Sequence, residues 1–475
     1  MSNYRFGKWF GLLMVCAVAF ATPVASHAAA TVEEVEVGGV PMLKVANPAV
    51  ELLVAPTRGG QVVSAVLKSG GVQFGNTGAV TAGLFSDHDS KQPHPGELMG
   101  KAYRHAVEML ADGSAKVAMA VVAEGGWRNE SAPTLRGLKF EREIVLPAAP
   151  PRIDFRCRVT NTSTEPRLLD YWLQSVARIG DVGEENHYFR PTSNGISVSS
   201  TLDRSSARSF VKDIGGGWCA VVNRARRVAA FHTFDIDALG RVYNCEPAAT
   251  QEFMYQTIPL PPGSSWETRL SLRVVEGVAS PVFANAVLAA GAEIEFAADR
   301  YTIRHQLAAM DKPLRNWRLS TSVTDLLTQQ TVQGAVVTGE RIGHERAEVE
   351  VPMELAAGGT RVVTVTLEHE AGVEVYEFPF TAFGDFSPPY ARNVTRRPPT
   401  LPKPDDLEAL WRVARAGESA GVLVVGDSVA VQVGAATRDP VDGVFPSRMS
   451  SCFATMSSSL PTGTPRPCAI LAWRC

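Results

Sequence analysis

Long stretches of helical periodicity are missing from this sequence, which argues against helix bundles and alternating β/α folds. Positive charge is not in excess: 46 Lys and Arg stand against 49 Asp and Glu, a formal charge of −3. So little surplus charge for neutralising phosphates argues against general nucleic-acid binding. Cysteine is scarce, 7 in 475 residues, and no CxxC or Cys/His cluster has the spacing of a zinc site. No P-loop, dinucleotide fingerprint or HExxH occurs, so no cofactor and no metal-ligating residue is expected. Beyond residue 30 no apolar run is long enough to span a bilayer. What is present is enough apolar material for a real core, 45% of the chain, with 40 Gly and 31 Pro to punctuate it.

Residues 1–30 read as a cleavable signal. Arg5 and Lys8 precede the uncharged run Phe10 to Ala21, and small residues follow Pro23. The expected location is therefore secreted or periplasmic, with no membrane span after signal removal. Cys16 would leave with the signal. Cys157, Cys219, Cys245, Cys452, Cys468 and Cys475 would stay in an oxidising compartment, with pairing that the sequence does not set.

Short apolar or alternating runs bounded by turn residues dominate from Val32 to about Val278. Val50 to Ala55, Val62 to Leu67, Lys116 to Ala123, Glu141 to Leu146, Ile153 to Val159, Trp218 to Asn223, Val228 to Phe234 and Leu270 to Val275 each carry the strand signature. The expected fold is mainly β, a large antiparallel supersandwich over residues 31–280. A second unit over 287–386 has the spacing of an immunoglobulin-like β-sandwich. Residues 387–404 read as a Pro-rich linker. Residues 405–475 read as a truncated α/β fragment, with Val422 to Val425 as its strand, and a disordered tail.

Three ordered segments of the first unit resemble the galactose mutarotase-like (aldose epimerase) superfamily. Glu51 to Leu67 (ELLVAPTRGGQVVSAVL) is similar to its opening hairpin around a Gly-Gly turn. Leu138 to Asn161 (LKFEREIVLPAAPPRIDFRCRVTN) is similar to its central strand pair. Asn244 to Val274 (NCEPAATQEFMYQTIPLPPGSSWETRLSLRV) resembles its Glu-Pro segment and closing Pro-Gly turn. The resemblance implies a curved two-layer fold and acid/base opening of a cyclic sugar, in which a carboxylate takes the anomeric hydroxyl proton and an imidazole protonates the ring oxygen. It places Glu246 at the catalytic carboxylate and His94, in His94-Pro95-Gly96, at the first His. Where the family pattern carries its second His, this chain reads Leu168-Leu169-Asp170-Tyr171-Trp172-Leu173-Gln174; His187 is the nearest substitute. The stretch Asp87 to Glu97 reads as a polar loop between strands, whose imidazoles and carboxylates could also suit a divalent ion.

Flat aromatics and planar polar groups bind sugars without an acid, which nominates Trp127, Arg128, Trp172, Gln174 and His232. Trp218 opens an apolar strand and is assigned to the core. Gly426-Asp427-Ser428 resembles the nucleophile block of SGNH hydrolases, but no His follows His369 to serve as its base. The expected function is binding of an oligo- or polysaccharide on the concave face of the first unit. An epimerase- or lyase-like enzyme with Glu246 as general base, and a protein-interaction scaffold without catalysis, are the alternatives. The sequence sets no oligomeric state.

Overall fold

A computed structural model describes residues 29–75, 83–92, 94–125, 135–193, 195–202, 209–245, 248–297, 300–355, 359–381, 422–425 and 429–432. Glu246, Trp127 and Arg128, the expected linker, and the expected signal up to residue 28 lie outside the described residues. The chain is mainly β. Among the described residues no helix is long and apolar enough to cross a membrane.

Alternation decides which way each strand faces. In Leu138–Leu146 the odd partners are Lys139, Glu141 and Glu143, partly exposed, while Leu138, Phe140, Ile144 and Leu146 are buried. Arg152–Asn161 pairs with it in antiparallel register and buries Ile153, Phe155, Cys157 and Val159 on the same side. On the opposite side Arg156 bridges Glu143 at 3.2 Å and Glu267 at 2.5 Å across neighbouring strands. These strands lie within a nine-stranded antiparallel sheet, in the spatial order Gly195–Ser200, His187–Thr192, Trp218–Asn223, Val228–Phe234, Ser265–Glu276, Arg152–Asn161, Leu138–Leu146, Ala115–Val122, Arg104–Met109.

A five-stranded sheet contributes to the same core: Ser209–Val211, Leu239–Cys245, Thr250–Tyr255, Tyr171–Val176 and Ser86–Asp89, in that order. Phe85 on its side stacks on Phe155 of the nine-stranded sheet, with ring centroids 4.9 Å apart. One contiguous buried cluster joins both sheets to a second five-stranded sheet at the N-terminal end, which includes the expected hairpin of Val50–Ala55 with Gln61–Leu67. Ala30 belongs to that cluster, and its amide bonds Gly113 O at 2.8 Å.

From Pro281 on, a four-stranded and a five-stranded sheet enclose their own core, with Tyr301, Ile303, Leu319, Val363 and Phe378 at its centre. A further buried cluster joins this unit to the first, packing Phe189, Trp218 and Phe231 against Ala289, Ala308 and Met310. Arg273, fully buried, donates to Met310 O from the first unit.

Two local expectations change. Ser86–Asp89 is a buried strand, not the start of a surface loop, because it completes the edge of the five-stranded sheet beside Tyr171–Val176. Val422–Val425 is a strand, but it pairs antiparallel with Val429–Gln432 as a hairpin. Cys157, Cys219 and Cys245 are free thiols, the first two buried.

Candidate functional site: one face of the five-stranded sheet

Strand pairing lines up two cross-strand rows. Arg241, Met254, Trp172 and His88 form one; Phe210, Tyr243, Glu252, Gln174 and Ser86 form the next. Side chains two apart on a strand share a face, so both rows project from the same side of the sheet. The intervening residues Asp87, Leu173, Phe253 and Val242 point to the core instead.

His88 stands at the centre of an aromatic group. Its ring lies 4.6 Å from Trp172 and 5.6 Å from His94, and His94 is 6.2 Å from Trp172. His94 is exposed and reaches the group from the segment after the strand. That segment is tied down by Gln92, whose Oε1 accepts the Glu97 amide at 3.0 Å. Glu97 in turn accepts the amides of Glu124 and Gly125 at 2.7 and 3.0 Å.

Glu252 is 1% exposed. Its Oε1 accepts Gln174 Nε2 at 3.1 Å and the Thr250 hydroxyl. Burial lifts its carboxyl above the usual range, opposed by the Thr250, Gln174 and Trp172 donors around it. His88 moves the other way: burial, reinforced by His94, pushes it down to about 3 against the Pro95 carbonyl and Gln174 amide beside it. Neither neighbour meets it in hydrogen-bonding geometry. Both His88 nitrogens, Trp172 Nε1, Gln174 Oε1 and Glu252 Oε2 are buried polar atoms that meet no protein partner in hydrogen-bonding geometry. Buried groups of this kind are costly unless something bonds them.

The reverse side of the Ser86–Asp89 strand is locked. Asp87 pairs with Arg142 at 3.2 Å, both fully buried, and accepts Tyr171 Oη at 2.6 Å and Tyr103 Oη at 3.1 Å. Desolvation raises the Asp87 carboxyl despite these partners. Arg142 also donates to Gly59 O at 2.6 Å and to Phe85 O. The Gly59-Gly60 turn permits that approach: a Cβ at Gly60 would sit 3.2 Å from the guanidinium and one at Gly59 only 2.4 Å from Met99 O. The turn, the ion pair and strand alternation together fix where His88 points.

Of the residues expected from sequence, the structure brings together His94, Trp172 and Gln174. His232 is elsewhere: fully buried in the nine-stranded sheet, it packs on Phe253 at 5.4 Å, on the core side, and burial pushes it down to about 3. It faces the core, on the side opposite Trp172 and His88. His187 is also in the nine-stranded sheet, with Nε2 3.7 Å from Glu185. His88 and Glu252 were missed as site residues. The Thr250-Gln251-Glu252 polar run inside a strand was the available signal for Glu252. Among the described residues no three His, Cys, Asp or Glu side chains gather as metal ligands. A separate groove of about 1130 Å³ between the two units, lined by Trp266, Phe283 and Tyr376, holds none of the expected site residues.

No protein-family model matches the chain, and no curated protein sequence does. Solved structures similar to about half of it include a galactose mutarotase-like protein from Clostridium acetobutylicum, at 12% identity and a TM-score of 0.39, covering 52% of this chain and 99% of that one. A galactose mutarotase related enzyme from Lactobacillus acidophilus matches at 11% identity and a TM-score of 0.35, covering 52% and 98%. A TPR-domain containing protein from Parabacteroides distasonis matches at 9% identity and a TM-score of 0.40; the match covers 52% of this chain and about half, 49%, of that one.

Proposed function

We propose that the face carrying His88, Trp172, Gln174 and Glu252 binds a carbohydrate outside the cytoplasm. The observation that carries this reading is the convergence of unpartnered buried polar atoms beside an indole. Sugars offer both matching surfaces, an apolar ring face for Trp172 and hydroxyls that donate to Glu252 Oε2 and Gln174 Oε1. The reading of export rests on the basic-then-apolar start of the chain. Titration of the full chain against glycans found on an oligosaccharide array tests the binding. Trp172→Ala is expected to weaken binding about tenfold or more with an unchanged circular dichroism spectrum. Equal binding by wild type and variant would remove Trp172 from the site.

A second reading keeps catalysis, favoured by a carboxyl held toward its protonated form and an imidazole held neutral on one face. In it His88 takes the proton from the anomeric hydroxyl while Glu252 gives one to the ring oxygen, so the ring opens with protons balanced. Reclosure on the other face runs the transfers backwards. Two strand spacings, about 10 Å, separate their strands, and Trp172 and Gln174 stand on the strand between them. Anomeric exchange of simple aldoses followed by NMR checks it: acceleration lost in Glu252→Gln and in His88→Gln is expected, and no acceleration by wild type ends this reading.

A further inference from the structure

The row that contains His88 and Trp172 ends in a cation. Arg241 projects from the same face two strands beyond Trp172, across Met254. Its Nε lies 3.1 Å from the Met254 sulfur, and its guanidinium carbon lies 5.1 Å over the Phe210 ring. Phe210 itself stacks on Tyr243 at 4.4 Å with planes 22° apart. An arginine on an aromatic face is held as a flat, oriented plate. Among the described residues no carboxylate pairs with it. The lysines near the other end of the row differ, since Lys91 is bound by Asp170 at 2.9 Å and Lys101 by Glu97 and Glu124.

A half-buried arginine with no carboxylate partner among the described residues, on the face that carries Trp172, is suited to a bidentate anion. The Glu252 carboxyl in the neighbouring row would repel an anion when ionised, but burial lifts it toward neutrality. We infer that the saccharide is acidic, with a carboxylate or sulfate held by Arg241 in a second subsite floored by Phe210 and Met254. This deepens the carbohydrate reading above and rests on it. Trp172 takes one ring, and the anionic group sits on a neighbouring ring about 10 Å along the row.

The test is an array of neutral, uronate-containing and sulfated oligosaccharides probed with the full chain, followed by titration at low and high salt. Wild type is expected to favour acidic members, and the uronate and sulfate arms identify which anion. Arg241→Gln should weaken acidic ligands about tenfold or more, flatten their salt dependence and weaken matched neutral ligands much less, so that the preference for acidic members is lost. Arg241→Lys should restore part of the preference, which a folding defect would not allow. Equal binding of acidic and neutral members, or an acidic preference that survives Arg241→Gln, overturns the inference while the cradle stands. Silence of wild type across the array overturns both.

Discussion

Two donors, Gln174 and Thr250, bond one oxygen of Glu252, and the second oxygen is buried without a hydrogen-bond partner; under the proposed function a sugar hydroxyl would meet it. Glu252→Gln keeps the shape but puts a donor or a weaker acceptor at that atom. It is expected to weaken glycan binding several-fold with little change in melting temperature, as read by titration and calorimetry. Asp89 gives a prediction in pH. Burial, aided by the Asp170 carboxylate, raises it to about 6 from 3.8. A carboxyl raised on folding contributes stability that is complete below about pH 4 and is lost as the pH rises through 6. Asn at this position still accepts the Lys91 amide, which Asp89 accepts at 2.8 Å. Between pH 4 and 6.5 wild type should therefore lose about 2 kcal/mol more than Asp89→Asn, measured by urea unfolding at each pH. Parallel curves would show that Asp89 does not titrate in this window. His88 and His232 work in the opposite sense: both are depressed to about 3, so they withdraw stability as the pH falls below their unfolded value. Comparing variant with wild type at one pH cancels them.

At the scale of elements, the strand Ser86–Asp89 decides the site, because four buried residues alternate between two environments. Asp87 faces Arg142 and two tyrosines, and His88 faces Trp172 and His94 on the opposite side. Breaking a buried ion pair leaves a desolvated charge, so Asp87→Asn is expected to cost roughly 3–5 kcal/mol in chemical denaturation. Replacing both partners, with Asp87→Leu and Arg142→Met together, should recover much of that loss. Recovery would separate the charge penalty from the shape of the site. The sequence made the large strands legible, since Trp218–Asn223 and Val228–Phe234 match the runs read from apolar content alone. It did not make Ser86–Asp89 legible, because Ser, Asp and His in succession resemble a loop until a partner strand and a buried guanidinium satisfy them. Arg142 within an otherwise apolar phase was the sequence-level trace of that partner.

Across the whole molecule, the two β units share a buried cluster in which Phe231 and Trp218 meet Ala289, Ala308 and Met310. Arg273 adds a backbone bond across the same boundary. Shared burial of this kind couples unfolding. The full chain is expected to melt with one dominant calorimetric transition over both units, and Phe231→Ala should lower it, at a cost of roughly 3–5 kcal/mol. Two well-separated transitions in wild type would show that the boundary does not couple them.

Composition and period-two alternation by themselves determined a β-rich chain with no surplus of positive charge, since apolar spacing along a strand is a local property. Residue type nominated Trp172 and Gln174, whose flat or planar groups suit a sugar wherever they sit, and the family resemblance nominated His94. Only the tertiary structure decided which of the nominated groups share a face. His232 satisfies the same local grammar as His88, yet sheet packing buries one on the core side and turns the other toward the indole. Glu252 acquires its raised carboxyl from burial by the fold, and Arg241 its place over Phe210 and beside Met254 from strands that are distant in sequence. Strand register, which is fixed between segments and not within them, set those neighbours.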